Sequence, residues 1–305
     1  MIEVRLSESA EEDARSNAIY NVVCPRYAIA DEDAAAFKAA MREADDHLAY
    51  VDGTLAGSAF SAVRGERPDV VFALITVLEP HRRQGVGKAL FEVVSESARA
   101  RGIGVLESFV DEAEAASVAF ATERGFEAVE RFERLVLELT AVGDIAATTA
   151  EDVRIARWAG DEATARGAYA VALEAYRDEP DGEHNIVEPY EAWLAHDFAR
   201  LATTAPTFVA LVGGEVVGYS QLTMTSARPG EAAHAFTGVK RSWRGRGVAT
   251  ALKRTQIRWA KENGVERLAT QNEERNAPML KINERLGYRP IGARLLVRGP
   301  VSRDA

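Results

Sequence analysis

The stretch VLEPHRRQGVGKAL, Val77 to Leu90, returns as VKRSWRGRGVATAL, Val239 to Leu252. The copies share Val77/Val239, Arg82/Arg244, Gly85/Gly247, Val86/Val248, Ala89/Ala251 and Leu90/Leu252, at a constant separation of 162 positions. Solenoid repeats run at roughly 20 to 50 residues, so a repeat this long is a whole domain used twice.

Outward from the two copies, the same order of elements is read in both halves. In the first, IEVRL reads as a strand, DEDAAAFKAAMREADD as a helix, and HLAYVDGTLAGSAFSAV as a hairpin turning at Asp52-Gly53. The continuous apolar run DVVFALITV reads as a central strand that leads into the first glycine loop. A helix to Ala98, the strand VLESFV, a helix ending at Gly125 and the closing strand ERLVLEL complete the half. In the second half DVRIARW, two helices, a hairpin at Gly213-Gly214, HAFTGV, the second loop and its helix, VERLATQN, NAPMLKINERLG and ARLLVRG follow in that order. Thr140 to Asp152 is the expected linker, which sets domains at 1–141 and 151–305. Two α/β domains of one architecture are expected.

The 305 residues suffice for two cores, and 47% hydrophobic with 28% charged residues fits a globular chain. A net charge of −10 argues against a nucleic-acid partner. No run approaches the roughly 18 apolar residues of a membrane span, and MIEVRLSESAEEDAR lacks the features of a signal peptide, so no membrane partner and a cytoplasmic location are expected. Cys24 alone can form no internal disulfide and reads as an inert thiol. The five histidines have no metal-ligand spacing, so no metal is expected.

A strand that enters a glycine loop and then a helix is a device for holding phosphate. The first helical N–H groups have no internal acceptor, and glycine lets an anion approach the backbone. Arg82, Arg83 and Lys88 in one loop, and Arg244 and Arg246 in the other, add charge suited to a pyrophosphate. A Walker loop is excluded because Gly87-Lys88 is followed by Ala89 and position 82 is not glycine; GVGKAL and GRGVAT lack the third glycine of a dinucleotide fingerprint.

RRQGVG (Arg82 to Gly87) and RGRGVA (Arg244 to Ala249) resemble the acyl-CoA loop of the GNAT superfamily of N-acyltransferases, and NAPMLKINERLGY (Asn276 to Tyr288) resembles the helix after that family's fifth strand. The resemblance covers nearly the whole chain as a tandem. It implies an α/β (α+β) class fold, each domain a mixed, mostly antiparallel twisted sheet flanked by helices. It also implies acetyl-CoA or another acyl-CoA as co-substrate and a small-molecule amine as acceptor. The backbone near Val239 would pair with the pantetheine arm, the N–H groups of Arg244, Gly245, Arg246, Gly247, Val248 and Ala249 would grip the pyrophosphate, and Asn276 would help hold the cofactor. The first-half equivalents are Val77 and Arg82, Arg83, Gln84, Gly85, Val86 and Gly87, but Glu114 stands for Asn276. This favours the C-terminal domain as the catalytic one.

Direct acylation needs a base for the amine, donors for the thioester oxygen and a proton for the thiolate. The tyrosine that often serves the thiolate in the family is replaced by Asn283 in one half and Ala121 in the other; Asn283 can still donate to sulfur, and Tyr288 and Tyr219 are substitutes. Glu231 and His234, near the start of the second central strand, are the candidate bases; their spacing sets them on opposite faces, and Asp69 and Phe72 are their counterparts. Asp178, Glu179, Asp181 and Glu183 form an acidic lip suited to an ammonium-bearing acceptor. An acyl-CoA-binding module without catalysis, and an enzyme active in both halves, stand as alternatives.

Overall fold

The computed structural model describes residues 1–64, 67–143, 152–180 and 187–302. Its strands are β1 (Ile2–Leu6), β2 (Arg42–Val51), β3 (Thr54–Arg64), β4 (Arg67–Val77), β5 (Val105–Asp111), β6 (Glu127–Glu138), β7 (Arg154–Arg157), β8 (Thr207–Val212), β9 (Glu215–Met224), β10 (Glu231–Val239), β11 (Arg267–Glu273) and β12 (Arg289–Pro300). The helices are α1 (Ala10–Val23), α2 (Asp31–Ala40), α3 (Val86–Ala100), α4 (Ala115–Thr122), α5 (Glu162–Ala175), α6 (Tyr190–Trp193), α7 (Ala199–Leu201), α8 (Val248–Glu262) and α9 (Ala277–Arg285), with a π-helical turn, Leu194–Phe198, between α6 and α7.

Packing divides the chain into two compact units, one of Met1–Arg131 with the chain from Ala293, the other of Phe132–Gly292. The halves of the sequence therefore trade their last strands. Unit 1 has the order β1-β2-β3-β4-β5-β12, with Arg294–Pro300 of β12 running antiparallel to β5. Unit 2 has the order β6-β11-β10-β9-β8-β7, with Phe132–Glu138 of β6 antiparallel to β11. ERLVLEL and ARLLVRG are strands as expected, but each completes the sheet of the other half, and the division falls inside β6 and β12 instead of in the linker. Residues 144–151 of that linker lie outside the described residues.

Each traded strand carries an arginine to a buried carboxylate. Arg298 on β12 donates from Nε to Oε1 of Glu107 at 2.7 Å, and Arg134 on β6 donates from Nη2 to Oε1 of Glu231 at 2.8 Å. A buried carboxylate costs several kcal/mol unless it is paired, so each traded strand contributes to the pairing that Arg67 and Arg228 also give Glu107 and Glu231.

Local chemistry explains the shared elements. Asp52 and Gly53 take φ values of 48° and 80°, and Gly213 and Gly214 take 56° and 91°, as a two-residue hairpin with both central residues left-handed requires. Helix α1 begins on Ser9, whose side chain accepts from Glu12 N, and α5 on Asp161, which accepts from Thr164 N. Helices α3 and α8 begin instead on Gly85 and Gly247, with no side-chain cap, so their first N–H groups stay open. In unit 1 the core gathers Val71, Leu90, Val94 and Leu106. In unit 2 α8 packs Val248 and Leu252 with Val239, and Ile257 and Ala260 with Ala232 and Leu222, while Tyr219, Phe236, Trp193 and Phe198 pack with α5 on the other face.

Candidate functional site

In unit 2 the central strand β10 runs parallel to β11 only through Glu231, Ala233 and their neighbour Ala232; the last pair is Ala233 with Ala269. Beyond it both strands continue without each other. The pairing of β10 with β9 slips between His234 and Phe236, a bulge at Ala235. One extra residue reverses the facing of all that follow. Ala232 packs with α8, whereas Phe236, four residues on, packs with α5. The strand thus opens a gap beside β11 and then leads into the glycine loop.

Unit 1 differs here. Strand β4 also leaves β5 early, after Phe72 with Glu107, but its ladder with β3 runs unbroken from Val71 to Val77. Because only β10 has the extra residue, the register sets Ala73 and Val70, not Phe72 and Asp69, opposite His234 and Glu231 in the two folds. The loop differs as well. Gly245 has φ 74°, and the matching residue, Arg83, is forced to φ 62°. A ring edge of Phe120 on α4 lies 3.3 Å from where a Cβ would stand on Gly87, in the first turn of α3.

The loop residues divide by role. In unit 2 Arg244 donates from Nε to Val239 O at 2.9 Å and pairs through Nη1 with Asp178 at 2.6 Å, so it fastens the loop to the end of β10. Arg82 makes the matching bond to Val77 O at 3.2 Å, and Gln84 donates to Pro80 O at 2.8 Å. Arg246 lies over the Trp243 ring at 4.6 Å. Val248 and Val86 bury their side chains in the cores, and only their backbones face the helix start. Gly247 and Gly85, at φ 81° and 93°, turn the chain into α8 and α3; the first helical bonds are Ala251 N–H to Gly247 O and Ala89 N–H to Gly85 O. The N–H groups of Val248, Ala249 and Thr250 have no acceptor within the helix, which is the arrangement that grips a phosphate. Asn276 caps α9 by accepting from Met279 N at 3.3 Å, whereas Glu114, at the start of α4, makes no such bond.

Of the candidate bases, Glu231 is 8% exposed and ion-paired with Arg134 and with Arg228 at 3.3 Å, so two guanidinium groups hold its carboxylate. His234 is held at both ring nitrogens, 3.0 Å from Gln256 Oε1 and 2.5 Å from the Tyr288 hydroxyl. Burial and the charge of Lys253 hold its imidazole well below the usual range, which suits a neutral ring without a free lone pair. Asn283 is fully buried and donates from Nδ2 to Asn272 Oδ1 at 2.6 Å. The structure brings His234 and Tyr288 together and leaves Glu231 apart on the other face of the strand.

The acidic stretch splits at neighbouring residues. Asp178 turns to Arg241 and Arg244, and these guanidinium groups hold its carboxyl down to about 2. Glu179 turns inward, and burial pushes its carboxyl up to about 7. Asp181 and Glu183 lie outside the described residues. Behind Glu179 the Tyr176 ring stacks on Phe236 at 4.8 Å, Phe236 on Tyr219 at 4.7 Å, and the Tyr176 hydroxyl donates to Asp197 Oδ2 at 3.3 Å. Asp197, in the π-helical turn, is raised by burial, and the Tyr219 hydroxyl lies buried beside Trp193, within reach of the Glu179 and Asp197 carboxyl groups. Sequence reading gave Glu179 no special place and missed Asp197 and Lys253. Lys253 had a signal: with Gln256, Ile257 and Ala260 it falls on one helical stripe, and all four are buried.

No group of metal-ligating side chains occurs among the described residues, and no described helix is long and apolar enough to cross a membrane. A search of curated proteins by sequence returned no match. Among solved structures, a tandem GNAT protein from the clavulanic acid biosynthesis pathway, solved without AcCoA, is similar at TM-score 0.81 and 19% identity over 100% of both chains. A GCN5-related N-acetyltransferase from Sphaerobacter thermophilus is similar at TM-score 0.76 and 18% identity, over 100% of this chain and 97% of the other. A GNAT-family acetyltransferase from Colwellia psychrerythraea is similar at TM-score 0.64 and 16% identity, over 98% and 100%. The family model described as Acetyltransferase (GNAT) family matches twice, at residues 16–126 and 168–288. With glycine-capped helices after both central strands and a family match over most of its length, the chain belongs to the GNAT family of acetyltransferases.

Proposed function

We propose that the protein is an acyl-CoA-dependent N-acyltransferase whose working site is in unit 2, acting on a small amine. The observation that carries this reading is the bulge at Ala235, which opens β10 from β11 beside a glycine-started helix and has no counterpart in β4. The residues fit the co-substrate: backbone groups of β10 beyond the bulge lack partners on β11, and the loop from Gly245 to Ala249 offers N–H groups for the pyrophosphate. When bound, acyl-CoA supplies an activated acyl group.

The chain's own residues supply the rest. An ammonium acceptor is drawn to the carboxyl groups of Glu179 and Asp197 beside the Tyr176 hydroxyl. Glu179, deprotonated above about pH 7, takes its proton, and Tyr176, Tyr219 and Asp197 surround that step. Backbone N–H at the bulge is the donor for the thioester oxygen.

The test is calorimetric titration with acetyl-CoA of wild type, Gly247→Glu and Gly85→Glu. A Cβ on Gly247 meets nothing within 4 Å, but its φ of 81° strains any side chain, so the new carboxylate acts at the helix start through charge and backbone strain together. One site, lost only in Gly247→Glu, is the expected result. A second reading, in which unit 1 keeps a weaker site, is favoured by Gly85 at the start of α3 and predicts a second heat lost in Gly85→Glu. No binding in wild type would refute both.

A further inference from the structure

The face of β10 toward α8 holds a second polar group that the proposed acylation does not use. Helix α8 returns antiparallel to β10: Val248 packs near Val239, and Ala260 near Ala232. Lys253 therefore lies level with the stretch from His234 to Thr237, where β10 has already left β11. Its side chain is 1% exposed, its Nζ stands 5.3 Å from the Tyr288 ring centroid, and that ammonium nitrogen is buried with no hydrogen-bond partner. Next to it on the stripe, Gln256 spends Oε1 on His234 and leaves Nε2 buried and unpaired. Thr237 Oγ1, on the Val239 side of the strand, is also buried and unpaired.

An unpaired buried donor costs about 1–3 kcal/mol, and more when it can be charged. Two such donors on one stripe of α8, level with the parting of β10 from β11, would both be satisfied by the two oxygens of one carboxylate. Resting on the acyltransferase reading above, we infer that the gap in unit 2 takes a CoA thioester whose acyl chain ends in a carboxylate, received by Lys253 Nζ and Gln256 Nε2. The titratable groups facing this spot are His234 from β10 and Tyr288 from the chain after α9; neither supplies a negative charge at neutral pH.

The full-length protein is titrated with succinyl-CoA and butyryl-CoA, thioesters of equal chain length with and without the carboxylate, and with acetyl-CoA. Wild type should bind succinyl-CoA at least about ten-fold tighter than butyryl-CoA, and Lys253→Met should reverse that order. A second measurement needs no variant: repeating the wild-type titrations at pH 8 in buffers of different ionisation heat should show uptake of close to one proton with succinyl-CoA and none with butyryl-CoA. Equal affinities, a preference that survives Lys253→Met, or no difference in proton uptake overturns the inference while leaving the acyltransferase reading intact. Failure of all three thioesters to bind overturns both.

Discussion

Lys253 also makes a prediction about stability. Burial brings its ammonium from 10.5 down to about 7, while in the unfolded chain it titrates near its ordinary value. The folded-state value is depressed for a base, so between pH 7 and pH 10.5 the unfolded chain holds a proton that the folded chain does not, and stability rises with pH. Linkage puts the penalty at about 4 kcal/mol at pH 7 and about 2 kcal/mol at pH 9. Lys253→Met removes this term and keeps the volume. The variant should therefore exceed wild type in stability by several kcal/mol at pH 7, and the difference should shrink by about 2 kcal/mol at pH 9. All four tryptophans, Trp158, Trp193, Trp243 and Trp259, lie in unit 2, so tryptophan fluorescence in guanidinium titrations follows that unit alone. Parallel stabilities of the two proteins across this range would mean that Lys253 is protonated and paired when folded, and would refute the reasoning.

Three other outcomes are expected. With Glu179 as base, kcat/KM rises through about pH 7, and Glu179→Gln lowers it by about 10²-fold or more and flattens the rise; an unchanged pH profile would clear Glu179. Glu231→Ala removes the carboxylate that Arg134 and Arg228 both pair with and should destabilise unit 2 in the same fluorescence titration without moving the pH profile of turnover; an unchanged stability would show that this pairing carries little. Arg83→Gly relieves a left-handed backbone and should raise the protection of β3 and β4 amides against hydrogen exchange by about 1 kcal/mol, with no gain if the loop is already relaxed.

Much of this fold was legible because its signals are local. Asp52-Gly53 and Gly213-Gly214 fix hairpins by backbone sterics, and the glycines at 85 and 247 mark helix starts wherever they are found. The bulge left a trace, since the hairpins are 161 positions apart and the loops 162, but that single residue could equally have belonged to a turn. Glu231 read as a base because its partners, Arg134 and Arg228, are found only once the strands pair. Glu179 and Asp178 were alike as letters; one faces arginines and the other an aromatic wall, a difference that neighbouring residues do not encode. The exchange of last strands left no local mark, because the partner of each strand, β11 for β6 and β5 for β12, lies far away in sequence.

That exchange bears on how such a chain can change over generations. The first half of the sequence, taken alone, lacks the strand that covers β5, and the second half, taken alone, lacks the strand that covers β11. Cutting the gene between them would expose two sheet edges and remove Arg298 from Glu107 and Arg134 from Glu231. A half that lost its own chemistry would still be kept for the strand it lends, so the tandem outlives the need for two sites.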